Sequence, residues 1–373
     1  MTHSRYMKPK NTLCIFFVLT LWMWGCDSNS PDIPHTVIKP LSKAVGVGAC
    51  QRILEGEDTI PMRGMVYDSR KNIVTGTIPE TAFRCSYGEI TLNMEGSFRI
   101  LGECGQAPGR IQSIVNEVSC GDGFVYVRDM AARIQVFDSD GGYAGALRGI
   151  RPYQINFKIS EDRVLAAGIS RNGYIVVTEY NIGEDNELTV VRDVAIIRDW
   201  RNHIANKEVT PKEVVVPSHF EWIGNKSLFV GSGLWGQYIL VDLSTGNWQY
   251  ENIYLSEKMA KTLPNRNVAN YMCAFEMDGK IALVEPVHKA IQINGRRVES
   301  YYVVDIQDPS KGTTQTFNPL IAGCSEGFSA INAFDAVFVG SRNFIAMEYI
   351  KKGKGSGLQV QYTRYKIPLF SDK

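Results

Sequence analysis

The stretch from Asp122 to Leu147 decides the fold. Phe124-Val-Tyr-Val, Arg133-Ile-Gln-Val-Phe137 and Tyr143-Ala-Gly-Ala-Leu147 are three short alternating apolar runs. Polar turns separate them, and Asp122-Gly123 and Asp140-Gly141-Gly142 supply the positive-φ positions that tight hairpin turns require. A period of two residues puts every second side chain on one face, so the stretch reads as an antiparallel meander.

The same grammar recurs in both directions. Toward the N-terminus it reappears as Ile73-Val-Thr-Gly76, Glu89-Ile-Thr-Leu92 and Ser97-Phe-Arg-Ile-Leu101. Downstream come Arg163-Val-Leu-Ala-Ala167 with Gly173-Tyr-Ile-Val-Val-Thr178, and then Ser227-Leu-Phe-Val230 with Gln237-Tyr-Ile-Leu-Val-Asp242. Lys280-Ile-Ala-Leu-Val284 pairs in the same way with Ser300-Tyr-Tyr-Val-Val-Asp305, and Phe344-Ile-Ala-Met-Glu-Tyr349 with Leu358-Gln-Val-Gln-Tyr362. The expectation is an all-β, six-bladed β-propeller of four-stranded antiparallel blades over residues 41–373, with units at 63–102, 113–148, 153–195, 217–253, 268–318 and 330–369. A two-domain sandwich is the structural alternative. Helical periodicity is confined to Leu255–Leu263, where a short helix is expected.

The N-terminus carries a separate message. Arg5, Lys8 and Lys10 precede an apolar run from Leu13 to Trp24 that ends at Gly25-Cys26. A dozen apolar residues fall short of the roughly 20 that span a bilayer as a helix, so residues 1–25 read as a cleaved signal and Cys26 as a lipidated mature N-terminus. Two or three acyl chains hold a protein stably at a membrane where one does not. Residues 26–40, rich in Ser, Asn and Pro, are expected to be a flexible tether. The chain behind Cys26 is therefore expected to be exported and tethered to a membrane.

Charge and cysteine usage exclude several classes. Residues 1–25 contain three basic residues and no acidic one, which leaves 37 Lys and Arg against 39 Asp and Glu, a charge of −2 for the mature chain. That balance carries no nucleic-acid footprint. Cys50, Cys85, Cys104, Cys120, Cys273 and Cys324 show no CxxC or Cys/His metal spacing, and His35, His203, His219 and His288 show no HxxxH pair. No catalytic residue, metal site or cofactor is assigned from sequence. No GxSxG elbow or phosphate-binding loop occurs either.

With those runs in place, Ser97-Phe-Arg-Ile-Leu-Gly102 followed by Gly105-Gln106-Ala107-Pro108-Gly109 resembles the Gly-Gln-Gly-Pro-Gly-Glu element of the six-bladed, TolB-like propeller lipoproteins of Bacteroidetes. Val125–Asp129 and Arg133–Asp138 look like the best-defined blade of that family. Ala107 replaces the middle glycine of the element, and Arg110 its usual acidic residue. The resemblance implies fold and compartment, the outer membrane with the protein facing either the periplasm or the outside, rather than activity.

Candidate contact residues follow from position. Gly105, Gln106, Pro108, Gly109 and Arg110 form either a structural turn between blades or a backbone nest for an anion. Trp235 is a candidate stacking platform for a sugar or peptide, as are Trp222, Trp248 and Tyr301, with inter-blade packing as the alternative role. Trp200, Arg201 and His203 lie in the long polar connection between Arg192 and Pro217, where an exposed recognition loop is expected. The functional expectation is a ligand-binding or protein-scaffold module with a glycan, a peptide or an envelope protein as partner. The alternative is a hydrolase or lyase whose acidic residues sit at the mouth of the channel.

Overall fold

A computed structural model describes residues 37–38, 50–56 and 59–367, the last range interrupted at 79–86, 92–97, 102, 112–114, 130–132, 139, 161, 205–216, 218, 233–236, 253–254, 257–270, 272, 288–290, 294–295, 299–300, 309–312, 317–319, 322–327 and 353–357. Cys26, the rest of the expected signal segment, and Trp235 lie outside the described residues. The chain is all-β apart from one short helix among the described residues, α1, Trp200–Ile204.

Five sheets hold four antiparallel strands each, in meander order. Their innermost strands are β1 (Arg63–Asp68), β2 (Val115–Gly121), β3 (Gln154–Ser160), β4 (His219–Ile223) and β6 (Phe328–Gly340). A further sheet, built on β5 (Cys273–Met277), departs from the expected four strands: the short strand Leu320–Ile321 also pairs with Tyr301–Asp308 and makes a fifth. In every sheet the first strand is joined to the second by a tight turn. Asp122 and Asp278 adopt φ of 55° and 53° at two of these turns, the conformation their sequence suggested.

The ring is closed by a strand that the repeat analysis left unassigned. Cys50–Gly56 pairs antiparallel with Leu358–Lys366 and supplies the fourth strand of the last sheet. That sheet therefore combines the start of the described chain with its end, so separating the two ends would break a sheet. β6 also lies against β1, so the innermost strands of the last and first sheets meet. Repeated meanders closed in this way form a β-propeller.

Apolar side chains fill the spaces between sheets. Cys273, Val284, Tyr302, Phe344 and Tyr365 belong to one buried cluster, and Val177, Ile197, Leu228, Val230 and Ile239 to another. One buried polar network lies beside them: Gln154 Nε2 donates to Thr178 Oγ1 at 2.6 Å, and Tyr180 Oη donates to Gln154 Oε1 at 2.5 Å. The helix expected over Leu255–Leu263 is not formed at its start, because Leu255–Ser256 is a two-residue strand paired with Val37–Ile38; residues 257–263 lie outside the described set.

Candidate functional site

The innermost strands surround a cavity of about 720 Å³ on the axis of the ring. Met65 and Tyr67 come from β1, Ser119 and Cys120 from β2, and Lys158 from β3. Glu221 and Trp222 of β4, Ala274 to Met277 of β5, and Val337 with Phe338 of β6 complete the wall. Its volume falls inside the range of small-molecule sites, roughly 300–1,000 Å³. The cavity reaches the face that carries the first-to-second-strand turns, since Gly224, Asp278, Ser341 and Arg342 of those turns also line it.

The two cations of the wall are spoken for. Lys158 Nζ donates to Gly224 O at 2.6 Å and to Asn225 Oδ1 at 2.9 Å, and burial pushes its pKa down. Arg342 forms an ion pair with Asp278, which ties the last sheet to the one before it. On the same face Arg70 pairs with Asp122 at 2.6 Å between the first two sheets. These contacts stitch neighbouring turns together.

The anionic side of the wall is less completely satisfied. Glu221 Oε1 stands 3.8 Å from His219 Nδ1, both on β4, and the His219 ring packs 4.9 Å from Tyr271. Trp222 Nε1 is buried and donates to nothing among the described residues. On strand β6, outside the residues that line the cavity, Asp335 accepts the Met65 N–H at 3.2 Å and the Ala336 N–H at 2.8 Å. Asp335 is partly exposed, yet protein crowds it closely. Desolvation, reinforced by Glu221, pushes its pKa up to about 7, against the opposing effect of its backbone donors and of His219. The Cys273 thiol beside it is fully buried and driven well up by desolvation and by Glu221 and Asp335, so it is an inert thiol rather than a nucleophile. Among the described residues no group of three or more His, Cys, Asp or Glu is arranged to hold a metal ion.

Of the residues singled out from sequence, Trp222 lines the cavity, the side chain of Tyr301 lies outside the described set with Trp235, and the others described lie elsewhere. Trp200 is fully buried and is corrected from an exposed contact to a core residue: it packs with Ile197, Leu228 and Leu243, and its Nε1 donates to Gly173 O at 2.7 Å. The apolar surface of an indole outweighs the polarity of the segment around it. Arg201 is exposed, with its guanidinium 4.9 Å above the Trp200 ring. His203 falls in α1, with its side chain outside the described set. Trp248 packs edge-on against Tyr250 at 5.3 Å, next to the core.

Gly105 to Arg110 forms a closed turn. The Gly105 N–H donates to Ile111 O at 3.1 Å and the Arg110 N–H to Ala107 O at 3.0 Å, so two N–H groups of the nest are used within the turn itself. Gly109 has φ of 78°, and a Cβ there would stand 3.1 Å from Tyr143 Cβ. At Gly105 a Cβ would come within 2.7 Å of Arg110 Cδ. The Arg110 carbonyl accepts from Arg133 Nη2 at 2.8 Å and Gln135 Nε2 at 2.6 Å, which anchors the turn to the next sheet. Gln106, Ala107 and Pro108 are exposed.

Sequence reasoning did not single out Glu221 or Asp335, although part of the signal was present. The alternation His219-Phe-Glu-Trp222 places His219 and Glu221 on one face of a strand, and Asp335 interrupts an otherwise apolar run from Ala333 to Val339.

No family model matches the chain, and no curated protein matches it. Among solved structures it is similar to the WD40 β-propeller domain of Doa1, with 10% identity, a TM-score of 0.44, and coverage of 84% of this chain and 96% of that one. It is also similar to a chain of the mitotic checkpoint complex, with 10% identity, a TM-score of 0.45, and coverage of 88% and 98%. The C-terminal WD40 domain of Sif2 aligns at 8% identity with a TM-score of 0.41 over 87% of this chain and 100% of that one.

Proposed function

We propose that the chain is a lipid-anchored propeller of the cell envelope that binds a ligand or partner through the axial cavity and the face onto which it opens. In this reading Cys26 carries the lipid, residues 26–40 form the tether, and the five-stranded sheet counts as the remaining blade of a six-bladed ring. The observation that carries it is the wall of the cavity: every sheet contributes its innermost strand, so polar and aromatic groups far apart in sequence converge on one concave site. Glu221 and Glu276 provide acceptors there, with Tyr67, Trp222 and Phe338 as aromatic surface.

A second reading, a hydrolase or lyase, draws on one specific observation. Glu221 at the wall has His219 3.8 Å away on its own strand, and its charge helps to raise the pKa of Asp335, so acidic and imidazole groups of the kind used in acid–base catalysis stand near the cavity. A melting-temperature screen of the full chain against polysaccharide fragments and divalent metal ions separates the readings. A ligand that binds only the folded state at 100 times its Kd adds ~2.7 kcal/mol of stability. A shift with glycans alone supports the binding module, and a metal-dependent shift supports the enzyme. A flat response to both panels would sink small-ligand recognition in the cavity and leave a protein partner as the occupant of the face.

A further inference from the structure

Two strand irregularities face each other where the last sheet meets the first. On β6 the register with the neighbouring strand runs Ala333↔Glu348 and then Asp335↔Met347, so one extra residue is inserted just before Asp335. On β1 it runs Arg63↔Thr77 and then Val66↔Thr75, which leaves Gly64 and Met65 outside the paired positions. Bulges of this kind re-aim a side chain or release a backbone group. Here they do both: the Met65 N–H, released from its ladder, donates to Asp335 Oδ2 at 3.2 Å across 270 residues of sequence. Gly76 opposes the irregular stretch, and a Cβ there would come within 2.9 Å of Arg63 O, so the missing side chain makes room for it.

The carboxyl of this contact has defined company. From β4, His219 and Glu221 act on it; from β5, the Cys273 thiol; from the strand Leu358–Lys366, the Tyr362 phenol, itself donating to Ile60 O at 2.6 Å. Its own strand adds the Ala336 N–H. The carboxyl therefore joins the first and last sheets of the ring and feels the negative charge of Glu221.

We infer that Asp335 is a proton-operated clasp at the closure of the ring, which holds the first and last sheets together most stably when it carries a proton. The inference concerns the closure of the ring that frames the axial cavity, whatever that cavity binds. Ionising Asp335 strengthens it as an acceptor for Met65, but it also places a desolvated negative charge opposite Glu221. The upward shift from 3.8 to about 7 says that the second effect wins. For an acid whose pKa is raised by folding, the folded state holds the proton after the unfolded chain has lost it, so stability declines as pH rises from about 4 to 7 and is level above that.

The test is the melting temperature of the full chain between pH 4 and 8, compared with Asp335→Asn, which keeps an acceptor for Met65 without a titrating group. The expected result is that the variant gains on the wild type steadily up to about pH 7. Parallel profiles would overturn the clasp. Glu221→Gln provides a second arm if the first variant folds poorly: removing the facing charge should move the wild-type decline to lower pH, and an unmoved decline would again overturn it. A flat ligand screen leaves this result untouched, so failure of the binding reading and failure of the clasp are told apart.

Discussion

Two carboxyl groups of the last sheet, Glu348 and Asp335, sit on paired strands a few residues apart and live in opposite circumstances. Glu348, at 0% exposure, accepts from Tyr302 Oη at 2.7 Å, Tyr365 Oη at 2.5 Å, Thr363 Oγ1 at 2.7 Å and Gln361 Nε2 at 3.3 Å. Asp335 accepts from two backbone N–H groups and faces a like charge. The sheet interior surrounds its acid with donors, which fixes it in place; the wall strand β6 gives its acid only two backbone donors and a like charge nearby. A buried polar network that is satisfied rigidifies a fold, whereas one that is partly satisfied responds to protons and ligands.

The comparison extends to the aromatic residues, where the largest effect is expected. Trp200→Ala removes a fully buried indole and should cost about 3–5 kcal/mol in urea unfolding. Arg201→Ala, on the exposed face of the same ring, should stay within about 0.5–1 kcal/mol. Equal costs would return Trp200 to the surface.

Glu348→Ala strands the hydroxyls of Tyr302, Tyr365 and Thr363 without this acceptor, and a loss of about 3 kcal/mol is expected. A near-neutral result would mean that the interior acid is as loosely held as the wall acid, and the contrast would fail. Gly109→Ala comes next, at about 1–2 kcal/mol, because an L side chain is strained at φ of 78° and would press on Tyr143. Glu221→Gln is the smallest, with little change in melting temperature near pH 4, where Asp335 carries its proton; its effect appears only as pH rises toward 7.

Much of the architecture was legible because strands announce themselves locally. Alternation and Asp-Gly turns marked the meander from Asp122 to Leu147, and the structure places strands at Phe124–Asp129, Ile134–Asp138 and Tyr143–Leu147. The closing strand Cys50–Gly56 was not legible, because its partner lies some 300 residues away and nothing local encodes that pairing. The turn at Gly105–Gly109 could be read either as structure or as a nest, and hydrogen bonds internal to the turn favour structure. The acids escaped detection for a similar reason. Glu221 and Asp335 are ordinary acids in their own strands, and only ring closure brings Glu221 to the cavity and Asp335 to the contact with Met65 of the first sheet. Trp200 misled because a polar neighbourhood in sequence says little about where one large ring will be buried.

The most direct measurement is a carbon-13 NMR titration of the Asp335 carboxyl in the wild type and in Glu221→Gln. A midpoint near 7 in the wild type, moving down when Glu221 is neutralised, is the result expected of a half-satisfied wall acid facing a like charge. A midpoint in the ordinary aspartate range near 3.8, unchanged by the substitution, would place Asp335 with Glu348 among the fixed groups of the sheets and contradict the division between interior and wall.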